Sequence, residues 1–313
     1  MIEARIAVFL DCGIRMCLSR LLLFVAMTVV SPLALAGGPV VRTFSGDETS
    51  RSASAYWFRT ERGSVLIDAP FLVAEAEALE AAMRAGGALP LGAAILTGAQ
   101  AWKSWGLPRL VSPATRVWGA RSTAEMLETQ FHGEQERFLR SGIPLSSMPR
   151  TSPRVTNTFT GSLNLGFEGY TLRLFEAGEG GTPATTVVFV PETGELFTGG
   201  LVWNRVHPVT GGSDLGAWRR ALSSLKRLGP RVVYPGYGEP GTVALIDRMS
   251  EYLRELEEAV RPLAFRSDLS TREIAVLRKG LTRANADWRF PSILDSSIRA
   301  EHSRLRGLLS GGE

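Results

Sequence analysis

Cysteine and histidine are both scarce in this chain of 313 residues. Its two cysteines are Cys12 and Cys17, and its three histidines are His132, His207 and His302. The rest of the chain therefore cannot form a disulfide or a thiolate metal site. No two histidines stand two, three or four positions apart, the short spacings that paired metal ligands often use. The composition argues against the usual zinc sites.

A block of basic residues is also missing. The net charge is +4, charged residues make up 21% of the chain, and no stretch concentrates lysine or arginine. Binding to nucleic acid normally requires a basic patch, so we do not expect nucleic acid as a partner. The 44% of hydrophobic residues is ample for a folded core.

Long hydrophobic runs are limited to one near the N-terminus. Residues 21–30 are apolar, Arg20 precedes them, and small residues stand at Ala34 and Ala36. As a helix this run spans about 15 Å, roughly half of a bilayer core. The pattern predicts an export signal cleaved after Ala36, with an uncleaved anchor as the alternative. We expect residues 1–36 to be removed and the mature protein to be periplasmic or secreted, without a stable membrane span.

The remaining chain alternates between strand and helix patterns. A hairpin is predicted from two strands at 55–59 and 64–68, followed by a helix over 72–84. A buried strand at 93–97 runs into a predicted loop over 98–107. Further strands are predicted at 163–165, 170–174, 186–190, 195–198 and 232–234, and helices at 215–228 and 244–260, with residues 120–150 helical only at first. This order favours helices packed outside sheets.

Five segments carry a more specific pattern. They are the hairpin ending at Asp68, Thr-Gly-Ala-Gln-Ala-Trp-Lys at 97–103, Gly-Gly-Thr-Pro at 180–183, Leu-Phe-Thr-Gly-Gly at 196–200 and Val-Tyr-Pro-Gly-Tyr-Gly at 233–238. In order and spacing they resemble the metallo-β-lactamase superfamily, which has T-H-x-H-x-D-H, G-H-T-P, L-F-T-G-D and P-G-H-G at the last four places. The resemblance covers about residues 40–260.

The resemblance implies an α+β fold, a four-layer αββα sandwich, over residues 37–260. Residues 261–313 are then predicted to be a helical C-terminal extension. In that family, loops at one edge of the two sheets hold one or two zinc ions, which activate a water molecule for hydrolysis.

The zinc ligands of the family are replaced in this sequence. Gly98, Gln100, Lys103, Gly181 and Tyr237 stand where the family has histidines, and Trp102 and Gly200 stand where it has aspartates. Apart from the phenol of Tyr237, none of these side chains is an ordinary zinc ligand. We therefore expect no zinc and no other cofactor, and we assign no catalytic residue.

The turns that shape the family's active site keep their glycines, which favours a retained pocket with altered contents. The predicted pocket residues are Gln100, Trp102, Lys103, Gly181, Gly200 and Tyr237, braced by Asp68, His207 and Glu239. Lys103 is expected either to pair with Asp68 or Glu239 or to bind an anion. Trp102, Trp105, Trp203 and Tyr237 either wall a cleft or pack the loops.

Three functions remain open from the sequence. The first is a non-catalytic, metal-free protein of the cell envelope that binds a small molecule, an anion among the candidates, or an envelope protein. The second is an active hydrolase with a relocated or atypical site, although the sequence has no G-x-S-x-G nucleophile motif. The third is a docking protein that acts through its C-terminal helices.

Overall fold

The computed structural model of the chain describes residues 39–60, 63–167, 169–178, 180, 185–211 and 213–310. The predicted export signal and Gly181 lie outside these residues. Within them, no helix has the length and the hydropathy that a membrane span requires.

The first sheet is mixed. Its strands are β1 (Arg42–Ser45), β2 (Ser54–Thr60), β3 (Gly63–Ile67), β4 (Leu91–Ile95), β5 (Arg116–Ala120) and β6 (Asn157–Phe159), side by side in chain order. The pairs β1–β2 and β2–β3 are antiparallel, and the pairs from β3 to β6 are parallel. The parallel strand β3 is buried on both faces, which explains its continuous apolar run.

The second sheet is mostly antiparallel. Its strands are β7 (Ser162–Phe167), β8 (Tyr170–Glu176), β9 (Thr186–Val190), β10 (Glu195–Phe197) and β11 (Val232–Tyr234), in the order β11-β10-β9-β8-β7. Only the pair β10–β11 is parallel. This pairing brings the end of β11 alongside the end of β10.

Helices cover the outer face of each sheet. They are α1 (Val73–Ala85), α2 (Ala101–Ser104), α3 (Leu107–Leu110), α4 (Arg121–Arg140), α5 (Leu215–Lys226), α6 (Ala244–Val260), α7 (Thr271–Ala284) and α8 (Leu294–Ser310). Alternate residues of β2 show the layering: Tyr56 and Phe58 face the second sheet, whereas Trp57 packs with Leu79 of α1. Helices α5 and α6 bury Trp218 and Leu253 against the other sheet. The predicted αββα sandwich is confirmed.

The C-terminal helices share a core with the sandwich. Helix α7 begins at a capping box in which Ser270 and Glu273 satisfy each other's backbone amides. Leu281 of α7 and Ile298 of α8 belong to the same buried cluster as Leu253 of α6. The predicted C-terminal extension therefore consists of helices, α7 and α8, that continue the helical layer formed by α5 and α6.

The structure also corrects the sequence-based assignment. The predicted loop 98–107 contains α2 and the beginning of α3. Strands β5 and β6 were not predicted. Their sequences, Arg-Val-Trp-Gly-Ala and Asn-Thr-Phe, show neither the continuous apolar run nor the alternation that identifies a strand.

Candidate functional site

The candidate site lies where the loops after β3, β4 and β11 meet. Asp68 follows β3, Thr97 and Lys103 follow β4, and Tyr237 follows β11. Strands β3 and β4 are parallel neighbours, so their carboxyl ends lie at the same edge of the sheet. That is the edge at which binding sites of parallel sheets commonly form.

Lys103 and Asp68 form a buried ion pair at this edge. The Lys103 Nζ lies 2.7 Å from Asp68 Oδ2, and the two side chains are 0% and 2% exposed. The same ammonium donates a hydrogen bond to the Gly236 carbonyl at 3.3 Å and lies 5.4 Å from the centre of the Tyr237 ring. The ammonium therefore has partners on several sides, as a buried charge requires.

The Asp68 carboxylate is also fully engaged. It accepts hydrogen bonds from the Thr97 backbone amide at 2.8 Å and from the Thr97 hydroxyl at 2.7 and 2.9 Å. Asp68 itself has a φ of 60°, a left-handed conformation that aspartate tolerates better than most residues. Its neighbour Ala69 donates its amide to the Lys103 carbonyl at 2.9 Å. Backbone and side-chain contacts thus hold the pair in place.

Gln100 occupies the space that side chains at positions 98 and 200 would take. A Cβ atom on Gly98 would lie 2.5 Å from Gln100 Oε1, and one on Gly200 would lie 3.0 Å from Gln100 Nε2. Among the described residues, the buried Oε1 has no hydrogen-bond partner. The two glycines and Gln100 therefore form one packed unit in which the side-chain amide replaces two missing side chains.

Tyr237 is buried beside this unit. Its ring stacks on Trp203 with 3.5 Å between ring centres and 11° between planes, and Trp203 Nε1 donates to the Gly200 carbonyl at 2.8 Å. Burial raises the pKa of the Tyr237 phenol above its ordinary value. Since only a phenolate would be an effective zinc ligand, the surroundings of Tyr237 disfavour metal binding.

A cleft of about 380 Å³ opens next to the ion pair. Its lining residues are Arg51, Ala99, Gln100, Ala101, Trp102, Trp105, Met126, Leu127, Gln130, Phe131, Glu134, Arg137, Val209 and Ser296. The guanidinium of Arg51 lies 4.4 Å from the centre of the Trp102 ring. Gln100 is shared between the cleft and the packed unit.

The structure brings most of the predicted residues together but divides their roles. Gln100 and Trp102 line the cleft, whereas Lys103 and Tyr237 are buried behind it. Gln100 lies where a Cβ atom on Gly200 would be, and Asp68 pairs with Lys103. The pairing of Lys103 with Asp68 is the first of the two alternatives expected for this lysine. Of the tryptophans, Trp102 and Trp105 line the cleft and Trp203 packs the loops.

Two of the predicted bracing residues have other surroundings. His207 is buried with Nδ1 2.8 Å from the Tyr252 hydroxyl and its ring 5.7 Å from that of Trp288. Its location follows from the isolated bridge between Val206 and Arg289, which aligns this segment with the C-terminal region. Glu239 is exposed, and its backbone carbonyl accepts a hydrogen bond from Asn204. The contacts described for both residues are made away from the Lys103–Asp68 pair.

Sequence analysis did not identify Arg51 as a site residue. Arg51 lies between β1 and β2 with a φ of 55°, in a segment without a recognisable motif. Its position depends on how that loop folds over the edge of the sheet. No signal in the local sequence indicates that its side chain reaches Trp102.

The donor groups of the site do not fit zinc. Within the described part of the chain, no group of three or more histidine, cysteine, aspartate or glutamate residues could hold a metal ion. The Asp68 carboxylate already binds the Lys103 ammonium, and a zinc ion in the same place would meet a positive charge at short range. Lys103 thus supplies positive charge where the family resemblance places a metal ligand.

The family model for the metallo-beta-lactamase superfamily matches residues 49–237. This chain belongs to that superfamily. The solved structure of a metallo-beta-lactamase from Pontibacter korlensis is similar, with 22% identity, a TM-score of 0.56, and coverage of 68% of this chain and 94% of that chain.

The solved structure of TMB-1, a protein studied for its substrate and inhibitor binding, is also similar to this chain. It has 17% identity and a TM-score of 0.54. It covers 71% of this chain and 95% of TMB-1. At these identities, the likeness to both structures concerns the fold. No curated protein matches the chain.

Proposed function

We propose that this chain is a metal-free, non-catalytic member of the metallo-β-lactamase superfamily that acts in the cell envelope by binding a small molecule in the cleft. The observation that carries the proposal is the buried pair of Lys103 and Asp68 at the loop edge. A location in the envelope is supported by the apolar run at 21–30 and the small residues up to Ala36.

Hydrolysis in this superfamily depends on a water molecule activated by metal. Gly98 and Gly200 have no ligand atoms, and the space above them holds the Gln100 amide. Lys103 provides a cation that pairs with the Asp68 carboxylate. These contacts support a site in which side chains have replaced the metal.

The surroundings of the cleft also lack a free general base among the described residues. A base must reach its substrate within hydrogen-bond distance. Asp68 is engaged by Lys103 and Thr97, and Glu134 at the cleft is paired with Arg137. His207 is enclosed by Tyr252 and Trp288. These constraints favour binding over catalysis.

The cleft itself has the properties of a small-molecule site. Its volume of about 380 Å³ falls within the range of roughly 300–1,000 Å³ typical of ligand pockets. Its walls combine aromatic and aliphatic side chains with two amides, those of Gln100 and Gln130. A pocket of this kind accommodates an apolar body and orients it through a few polar contacts.

Turnover assays test this proposal. The purified mature protein should be incubated with a chromogenic β-lactam, a thioester and a phosphodiester, with and without added zinc, beside an active metallo-β-lactamase as positive control. We expect no turnover above the rate in buffer under either condition. Zinc-dependent hydrolysis of any of these substrates, lost on chelation, would overturn the proposal and favour the active hydrolase.

A further inference from the structure

We propose that the cleft binds a small monoanionic molecule with a flat apolar body, and that Arg51 binds its negative charge. This inference rests on the proposed binding function and names the class of ligand. The geometry that points to it is an arginine side chain that has no counterion among the described residues and that stacks on an aromatic ring at the edge of a cleft.

Arg51 is half-buried, and its guanidinium lies over Trp102. Within the described part of the chain, this guanidinium makes neither a hydrogen bond nor an ion pair. Burial lowers the pKa of Arg51 below its ordinary value, in agreement with an incompletely compensated charge. A partly desolvated cation of this kind gains more from an incoming anion than a solvated surface arginine does.

The charges along the cleft determine the expected charge of the ligand. Besides Arg51, the charged lining residues are Glu134 and Arg137, which neutralise each other through two hydrogen bonds. Among the described lining residues, one positive charge therefore remains, that of Arg51. A ligand with a single negative charge balances it, whereas a dianion would leave one charge uncompensated.

The walls determine the shape of the ligand body. Trp102 and Trp105 contribute aromatic surface, and Met126, Leu127 and Phe131 contribute the opposite, largely helical side. Flat apolar groups pack well against such rings. The anionic group of the ligand would then lie beside Arg51, and its apolar body would extend along α4.

The loop that carries Arg51 is held without the help of its side chain. Glu75 accepts hydrogen bonds from the Asp47 amide at 2.8 Å and from the Ser50 hydroxyl at 2.5 Å. The Arg51 amide donates to the Glu48 carbonyl at 3.1 Å. Substitution of the Arg51 side chain should therefore leave the loop in place, so that a loss of binding reports the lost charge.

Affinity for matched probes tests the inference. Naphthylacetate carries one negative charge, and naphthylacetamide has the same body without it. Calorimetry and quenching of tryptophan fluorescence on the chelator-treated mature protein should show naphthylacetate binding at least about tenfold more tightly, the effect expected of one charge-assisted contact. Arg51→Gln should reduce naphthylacetate binding to the level of the amide, and Arg51→Lys should retain part of it. Arg84→Gln, an exposed control on α1, should bind like the wild type.

Several outcomes contradict the inference. Equal affinity for the two probes, unchanged binding by Arg51→Gln, or no saturable binding of naphthylacetate at millimolar concentration would each overturn it. Tighter binding of the dianion naphthyl phosphate would overturn the assignment of a monoanion. Turnover with intact Arg51-dependent binding would refute the proposed non-catalytic function alone, and loss of Arg51 dependence without turnover would refute this inference alone.

Discussion

Lys103 and Asp68 are joined by a buried ion pair with 2.7 Å between Nζ and Oδ2. The two residues follow the adjacent parallel strands β3 and β4, so the pair connects the two loops directly. Lys103 stands where the resemblance to the superfamily places a metal ligand. Its ammonium group therefore supplies positive charge at this edge of the sheet. The proposed replacement of a bound ion by the Lys103 ammonium has consequences for stability that can be measured.

Removing the charge of Lys103 should destabilise the fold. Lys103→Met leaves the Asp68 carboxylate buried without its counterion, which costs about 3–5 kcal/mol for a pair of this type. Urea unfolding would measure the loss. Lys226→Met is the matched control, because Lys226 pairs with Asp247 at the surface with both side chains about half exposed, and such pairs contribute about 0–1 kcal/mol. Equal losses in the two variants would contradict the account.

Removing both charges should cost less than the sum of the single changes. Asp68→Asn alone leaves the ammonium of Lys103 without its carboxylate, and Lys103→Met alone leaves the carboxylate. In the double variant neither charge is left unpaired, so a double-mutant cycle should show a coupling energy toward the upper end of roughly 0.5–3 kcal/mol. Additive losses would mean that the two side chains do not depend on each other.

The packing of Gln100 over Gly98 predicts a second non-additive effect. Gly98→Ala places a Cβ atom 2.5 Å from Gln100 Oε1 and forces the amide into another position, at a cost of about 0.5–1.5 kcal/mol. In a Gln100→Ala background this cost should disappear. Thermal or urea unfolding of the four proteins of the cycle would measure it. The same cost in both backgrounds would show that Gln100 does not fill this space.

Two other glycines serve as controls for that cycle. Gly133 lies in α4 with open space around it, so Gly133→Ala should stabilise the helix by up to about 1 kcal/mol. A Cβ atom on Gly236 would lie 2.1 Å from the Gly199 carbonyl oxygen. Because that clash is with backbone, Gly236→Ala should be strongly destabilising whether or not Gln100 is present.

The fold could be predicted from the sequence because several independent patterns agreed. The hairpin around Gly63, the helix over 244–260 and the strand over 186–190 each follow from local periodicity, and all three were confirmed. Strands β5 and β6 could not be found in this way. They pair with β4 and with each other through backbone hydrogen bonds, so their existence depends on tertiary context more than on their own side chains.

The site was predictable only in part. The positions of Gln100, Lys103 and Tyr237 follow from the motif, as does the possibility that Asp68 holds Lys103. The division between the buried Lys103–Asp68 pair and the neighbouring cleft could not be predicted, because it depends on side-chain orientations. Arg51 reaches Trp102 from a loop that is distant in sequence, and His207 turns toward Tyr252 because its segment pairs with Arg289.

Protonation of His207 should make stability depend on pH. Burial lowers the pKa of His207 from its usual 6.5 to about 4, so the unfolded chain binds a proton more readily than the folded protein. The stability that His207 contributes is therefore complete above pH 6.5 and is lost progressively as pH falls toward 4, by an amount on the order of 3 kcal/mol.

Urea unfolding at a series of pH values checks this dependence. Between pH 4 and pH 6.5, the free energy of unfolding of His207→Asn should change less with pH than that of the wild type. His132→Asn is the control, since His132 is exposed on α4, and it should keep the profile of the wild type. If the unfolding free energies of the wild type and of His207→Asn change with pH in the same way, the pH dependence comes from other groups.

The export signal remains a prediction about residues outside the described part of the chain. If it is correct, mass spectrometry of the envelope fraction should identify a mature N-terminus at Gly37. Ala36→Arg should block cleavage, because the position before the cut requires a small residue. A cytoplasmic protein that retains residues 21–36 would refute this prediction and the proposed location.

The most direct test of the central claim is zinc analysis of the purified mature protein. Elemental analysis after growth in zinc-supplemented medium and exhaustive dialysis should find no stoichiometric zinc, and calorimetric titration with zinc should find no saturable site. This result is expected because the Lys103 ammonium already holds the Asp68 carboxylate. One zinc ion per chain that survives dialysis would contradict the replacement of the metal by Lys103.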